Sequence, residues 1–286
     1  MKKKNYIEWD LIINSKKKWL DFRFDEIWEY KDLLLLYVKR NIVTQYKQTV
    51  LGPLWIVFPP LLMSFVFTII FGRIIKISTE GLPPSLFYMS GIVMWNYFST
   101  SLNATSNSLA GNIGIFSKVY FPRIIIPLAT IISGSVRYFI QLIIFTLLLL
   151  FFIIFKGFVI NFQFHLLFLL PIIILMVGLQ GLGIGLLCSA LTVKYRDLRF
   201  LISFSTRLLM YASPIIFPLS IVPEKYKYII ILNPMTSIIE FFRYMVFGGE
   251  FFNFLYLLYS IVFTFFLFLL SYIVFNYIQK DFIDYA

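Results

Sequence analysis

Little in this chain has the makings of a catalyst. His165 is its single histidine and Cys188 its single cysteine, which rules out a histidine-based metal site and an intrachain disulfide. A phosphate loop requires a Gly-Lys pair, and none occurs. An Asp-x-Asp pair of the kind that holds a metal-bound sugar nucleotide is missing too, and no histidine sits in a polar cluster where it would serve as an acyl-transfer base. No catalytic residue, metal site or cofactor is therefore expected on this chain, and any ATP hydrolysis must come from a partner.

The residues that stand out are polar groups inside apolar sequence. Arg137 interrupts one long apolar segment and Arg207 lies within another. Asn96, Ser99, Thr100, Ser101, Asn103, Thr105, Ser106 and Asn107 crowd the later half of a third. In hydrocarbon an arginine costs on the order of 3 kcal/mol or more unless it is paired or hydrated. Arg137 should therefore face the bundle interior or a wet cavity, with a partner the sequence does not name. The amides and hydroxyls should face other helices, a water-filled path or the cytoplasmic interface.

These residues are carried by a membrane protein. Of 286 residues 60% are hydrophobic and 14% charged, with a mean hydropathy of +0.85, far from a soluble domain. Several stretches run about 20 residues with scarcely a charge, the length an α-helix needs to cross hydrocarbon. The expected fold is an all-α polytopic membrane protein with about six transmembrane helices. Spans are expected near Leu54–Ile75, from Leu86, over Ile124–Phe155, Leu166–Val193, Phe200–Pro218 and Phe251–Ile278. Pro59-Pro60 should kink the first or mark an irregular start. Gly181-x-x-x-Gly185-x-x-x-Ser189 forms a small-residue face where another helix can come close. The stretch holding Pro223, Pro234, Glu240 and Arg243 is too broken to span and suits short re-entrant or surface helices between spans five and six.

Ahead of the first span, Ile27, Tyr30, Leu34, Val38, Ile42 and Tyr46 recur at near-helical spacing with Lys31, Lys39, Arg40 and Lys47 off the stripe. This predicts an amphipathic helix, either lying in the membrane interface or packed on the protein. Residues 1–50 thus form a cytoplasmic N-terminal segment and 51–286 the six-helix domain. Met1 to Lys18 is basic and polar, so no cleavable signal peptide is expected.

The net charge of +11 follows membrane orientation and not nucleic-acid binding. Lys2, Lys3, Lys4, Lys16, Lys17, Lys18, Arg23, Lys31, Lys39, Arg40 and Lys47 all precede the first span, which places both termini in the cytoplasm. The loops with Lys118 and Arg123, and with Lys194, Arg196 and Arg199, then also fall inside. Lys76, Lys156 and the Pro223–Glu250 region fall outside.

Tyr46–Gly52 reads YKQTVLG, followed by Pro53, Leu54 and Trp55; Ser117–Arg123 reads SKVYFPR; Ser189–Asp197 reads SALTVKYRD; Ser213-Pro214, Asn233-Pro234 and Phe242-Arg243 follow. This set, in order from about Ile27 to Gly248, resembles the permease subunit of ABC-2 transporters that export O-antigen, teichoic acid and related capsule or wall polysaccharides. The resemblance implies a homodimer in a bacterial inner membrane, bound to two copies of a nucleotide-binding ATPase subunit that carries the ATP and Mg. It implies a cargo of polysaccharide linked to undecaprenyl diphosphate, with O-antigen the leading reading and teichoic acid or capsule the alternatives. A membrane-integral glycosyltransferase or polymerase and an ABC-2 permease for drugs or other lipids are the competing classes.

The resemblance also distributes roles. Lys118, Tyr120 and Arg123, with Arg196 and Asp197 on the next internal loop, are the expected ATPase-docking residues. Lys118 and Arg123 also fit plain positive-inside anchoring, and Arg196 with Asp197 a local ion pair. A lipid diphosphate needs cations, and Arg40, Lys47 and Arg207 are the candidates, Arg207 also fitting a snorkelling side chain. A sliding glycan needs weak stacking surfaces. Trp55, Phe58, Phe65, Tyr88, Trp95, Tyr97, Phe98, Phe204 and Tyr211 form a pool expected to contain path-lining rings, each of which also fits ordinary packing.

Overall fold

A computed structural model describes residues 24–116, 118–195, 197–249 and 252–278. Every regular element among them is helical. The N-terminal segment folds as α1 (Phe24–Glu29) and α2 (Lys31–Tyr46). The remainder comprises α3 (Leu54–Phe67, continued as a π-helix over Thr68–Ile74), α4 (Pro84–Ser106), α5 (Ser108–Gly111), α6 (Ile113–Phe116), α7 (Ile125–Lys156), α8 (Leu170–Lys194), α9 (Leu198–Tyr211), α10 (Glu224–Ile231), α11 (Pro234–Phe247) and α12 (Phe254–Ile278).

Four helices among the described residues are long and apolar enough to cross a membrane: Leu54–Ile74, Ile125–Lys156, Phe164–Thr192 and Phe254–Tyr277. The bent pair α10–α11 would make a fifth if counted as one span, but it turns by 100° at its break. Two of the expected six spans fall outside that set for different reasons. With 23 residues, α4 reaches about 35 Å at the usual helical rise, so its length suffices and only its polarity lowers it. It is the central rod: most of its residues are buried, including Ser101, Thr105 and Ser106, and a helix wrapped by others has no need of an apolar surface. By contrast α9 has 14 residues, about 21 Å, and ends at Tyr211, short of the expected Pro218; alone it does not reach across hydrocarbon.

The small-residue row does what its spacing predicts. A Cβ on Gly181 would lie 2.6 Å from the Ser101 Cβ and 2.9 Å from the Phe98 carbonyl oxygen, and one on Gly185 2.6 Å from the Thr105 Cβ. Helix α8 therefore lies against α4 at backbone distance, and the Thr192 hydroxyl donates to the Ser106 carbonyl at 2.8 Å. On its other side α8 is tied to α12, where the Gln180 amide donates to the hydroxyls of Ser260 (3.1 Å) and Thr264 (2.8 Å). Much of the polar half of α4 is satisfied locally, with Asn103 and Asn107 donating to carbonyls four residues back.

Pro59 and Pro60 sit inside α3 and do not end it. Pro60 has no N–H to give the carbonyl of Ile56. The Gln141 amide on α7 donates to that carbonyl at 3.3 Å, a neighbour restoring what the proline removed.

Much of the stripe of the N-terminal helix is used for packing. Ile27, Tyr30, Leu34 and Val38 lie partly buried against a second core cluster formed by Phe116, Phe121, Ile125 and neighbours. Trp28, Leu35, Leu36 and Val43 remain exposed on α1 and α2, so the segment has one apolar set for the bundle and another left for a surrounding medium.

Candidate functional site

Three of the polar residues that sequence alone left without a setting, Arg137, Asn96 and Thr100, meet at a cavity of about 200 Å³. Its wall takes Gln45 and Tyr46 from α2, Trp55 from α3, Asn96 and Thr100 from α4, and Arg137 and Gln141 from α7. The geometry follows from chain order: α2 packs along α7 from the end of the bundle where α7 begins, with Tyr37 against Phe121, and its last turn meets the start of α3 beside Arg137 and Gln141. Arg137 is half-buried and lies in this amide-lined wall, facing a polar cavity as an intramembrane arginine must. Burial raises the pKa of the Tyr46 phenol while the Arg137 charge acts to lower it; the hydroxyl stays protonated and able to donate at neutral pH. The arrangement can bind an anion: one guanidinium fork, a phenol and several amides, beside the exposed Trp55 ring.

None of Arg40, Lys47 and Arg207 lines this cavity. Arg40 lies over the Tyr37 ring at 4.3 Å from its centroid, Lys47 is exposed at the end of α2, and Arg207 is exposed on α9. The cation that the fold gathers with polar partners is Arg137, which sequence reasoning singled out without finding its surroundings. Residues on four different helices carry no shared period by which to find one another.

The aromatic pool divides sharply. Trp55, Phe58, Phe65, Phe204 and Tyr211 are all about half exposed or more on the chain's surface. Tyr88, Trp95 and Phe98 are enclosed by their own chain's helices, with Tyr88 edge-on to Phe67 at 6.0 Å and Trp95 against Phe98 at 5.1 Å. These three rings pack among the helices around α4 and are not on the chain's surface. Tyr97 is also buried, seated where a Cβ on Gly178 would meet its hydroxyl at 2.7 Å, yet it borders the Arg137 cavity.

At the same end, Lys118, Val119 and Tyr120 are exposed, while the next residue, Phe121, is buried with its ring 6.1 Å from Tyr37 on α2 and 5.4 Å from Phe116. The Arg123 guanidinium lies 5.8 Å from the Phe116 ring centroid, and burial lowers its pKa with Tyr120 acting to raise it, which leaves it charged. This loop is therefore pinned to α2 by an aromatic cluster and offers an exposed tip. Asp197 is exposed beside α9; Arg196 lies outside the described residues.

At the opposite end the motif dipeptides meet in a knot. The Asn233 side chain caps α11 by accepting from the Met235 N–H at 3.1 Å and donates to the Ser213 hydroxyl at 2.8 Å. Arg243 is 4% exposed and donates to the Ser90 hydroxyl, to the carbonyls of Phe87, Pro214 and Ile215 and to the Glu240 carboxylate. Its guanidinium also lies 3.7 Å from the Phe87 ring centroid. Sequence reasoning placed Glu240 and Arg243 on short surface helices and missed the hub, because an acidic and a basic residue three apart read as an ordinary helix-face pair.

Comparison with known proteins meets this geometry. The chain is 28% identical to an O-antigen export system permease protein RfbA of Klebsiella pneumoniae, over 79% of this chain and 85% of that protein. It is 24% identical to an O-antigen export system permease protein RfbA of Myxococcus xanthus, over 76% and 81% of the two chains. With the polysialic acid transport protein KpsM of Escherichia coli it shares 24% identity over 73% and 79%. The family model for ABC-2 type transporters matches residues 32–247, a range that takes in α2, the Arg137 cavity, the pinned loop and the Arg243 knot, and the chain belongs to that family of integral membrane proteins.

Proposed function

We propose that this chain is the membrane permease of an exporter that moves a lipid-linked polysaccharide, an O-antigen by preference, out of the cytoplasm, as a homodimer driven by a separate ATPase subunit. The observation that carries the reading is the Arg137 cavity. It gathers a cation, hydrogen-bond donors and an exposed indole where α2 gives way to α3, groups that a diphosphate headgroup needs on shedding water. The relatives named for O-antigen and polysialic acid transport support a glycan cargo. The pinned loop supports coupling, since a push on the exposed tip at Lys118–Tyr120 reaches α2 and the start of α7 through Phe121. The bilayer does not pass a hydroxyl-dense polymer unaided, so the ATPase must supply the work.

Removing the chain from its cell is expected to strip the polysaccharide from the surface and leave lipid-linked glycan at the inner leaflet; unchanged surface polysaccharide would overturn the reading. Arg137→Glu should lower export at least tenfold at normal protein abundance, with Arg137→Lys retaining part of it, because a point charge keeps the attraction and loses the fork. Surface-glycan immunoblots beside permease blots make that measurement. Lys118→Glu combined with Tyr120→Ala should halve, or more than halve, both ATPase co-purification and glycan-stimulated ATP hydrolysis, since both side chains are exposed and neither supports the fold. Undiminished coupling in that double variant would remove the loop from the transmission path.

A further inference from the structure

The end of the bundle opposite the Arg137 cavity holds a larger hollow, about 820 Å³. It is assembled from all three connections that the charge pattern assigns to the outside. Glu80 comes from the α3–α4 connection, Asn161 from the α7–α8 connection, and Ser237, Glu240 and Tyr244 from α11, with Tyr256 closing it from α12. A hydrogen bond from the Gln163 N–H to the Met245 carbonyl at 3.1 Å locks the second of these connections to the third.

The lining narrows the ligand. An apolar ligand such as a lipid tail is disfavoured by carboxylates, amides and hydroxyls in the wall. An anion meets two carboxylates, while the nearby cations are spoken for: Arg243 is bound to Glu240 and to backbone carbonyls, and Lys227 to Glu224 at 3.2 Å. A metal ion finds no group of three histidine, cysteine or acidic side chains among the described residues. What fits is an uncharged ring with many hydroxyls and an apolar C–H face. Carboxylate and amide groups accept and donate to vicinal hydroxyls, and aromatic rings pack against the C–H face. Both kinds of group are present, since Tyr244 and Phe252 stack at 5.7 Å and 25° in the same wall.

We propose that this hollow is a saccharide-binding site that holds a few neutral sugar rings of the exported chain at the outer mouth of the permease. The inference rests on the glycan-export reading and deepens it by locating a contact on the exit side. Binding there biases a polymer that has emerged against sliding back, without any covalent step.

The test uses the permease with its ATPase in lipid nanodiscs. The probe is surface polysaccharide from the same bacterium, freed from its lipid by mild acid and added to the intact complex. Saturation-transfer NMR should show sugar protons receiving magnetisation from the protein. Glu80→Ala and Tyr256→Ala should each weaken binding at least fivefold. Glu80 is exposed, so its replacement leaves the fold intact and keeps the test valid should Tyr256→Ala misfold. Absence of binding by the wild-type complex, in a strain whose export depends on this chain, overturns the site and spares the export reading. Undiminished binding by the Glu80 variant overturns the site as well. An export phenotype that does not depend on this chain removes the reading beneath it.

Discussion

Arg243→Ala is expected to be the most destabilising single side-chain deletion in the chain, lowering the melting temperature in detergent by roughly 10 °C. The guanidinium is almost fully enclosed by protein. Its side chain is 5% exposed and that of its partner Glu240 18%, and its N–H groups are spread over α4, the Ser213–Ile215 turn and α11. Truncation leaves the carbonyls of Phe87, Pro214 and Ile215 without that donor and Glu240 without its counter-charge, and breaking a buried pair from one side costs about 3–5 kcal/mol. Arg243→Lys should recover less than half, because an ammonium has three N–H donors where the guanidinium makes five hydrogen bonds. Arg243→Met together with Glu240→Leu should recover more than the lysine variant, since removing both charges abolishes the orphan. The site leaves no slack for a larger neighbour: a Cβ on Gly91 would sit 3.1 Å from the Arg243 Nη2. Thermal unfolding followed by size-exclusion fluorescence distinguishes these variants. A melting temperature within 2 °C of wild type for Arg243→Ala would show that the knot does not hold the fold.

Gly185→Val is expected to separate α8 from α4 and to yield little folded protein. The substitution would put a Cβ 2.6 Å from the Thr105 Cβ and 2.9 Å from the Leu102 carbonyl oxygen. One of those atoms is backbone, so rotamer changes give no relief and the helices must part. Parting them exposes Ser101, Thr105 and the Thr192–Ser106 hydrogen bond to a medium without donors, beyond the roughly 1–3 kcal/mol of overpacking alone. Gly181→Val should behave alike, since it meets the Phe98 carbonyl oxygen at 2.9 Å. Gly111→Val makes the control, because a Cβ there meets nothing within 4 Å. Full recovery of monodisperse Gly185→Val protein from the membrane would contradict the close packing.

What the sequence made legible was whatever has a period or a cost. Helical spans came from apolar runs, and the α8 contact from glycines four apart, because each is written in consecutive residues. The setting of Arg137 was half legible: its cost in hydrocarbon demanded a wet wall, but the wall is built from four helices and no spacing connects them. The burial of the α4 rings was hidden for a related reason, since hydropathy marks a polar-flanked helix without saying that the other helices pack around it. Arg243 was hidden by its local pattern, because Glu240 three residues earlier supplies an unremarkable explanation. The short α9 ends early because Pro214 drives the residue before it out of helical geometry, and Ser213-Pro214 then enters the knot.

The bond from Gln141 to the Ile56 carbonyl has a mechanical consequence. A helical rod normally owns every rung of its ladder, so bending it anywhere strains its own spine. Here the prolines have transferred one rung to a side chain on another rod, and a side-chain amide can let go and re-form while both spines stay whole. A shift between α3 and α7 at this rung therefore need break no backbone hydrogen bond of either helix, and the rung borders the Arg137 cavity, whose wall includes Ile56 and Gln141.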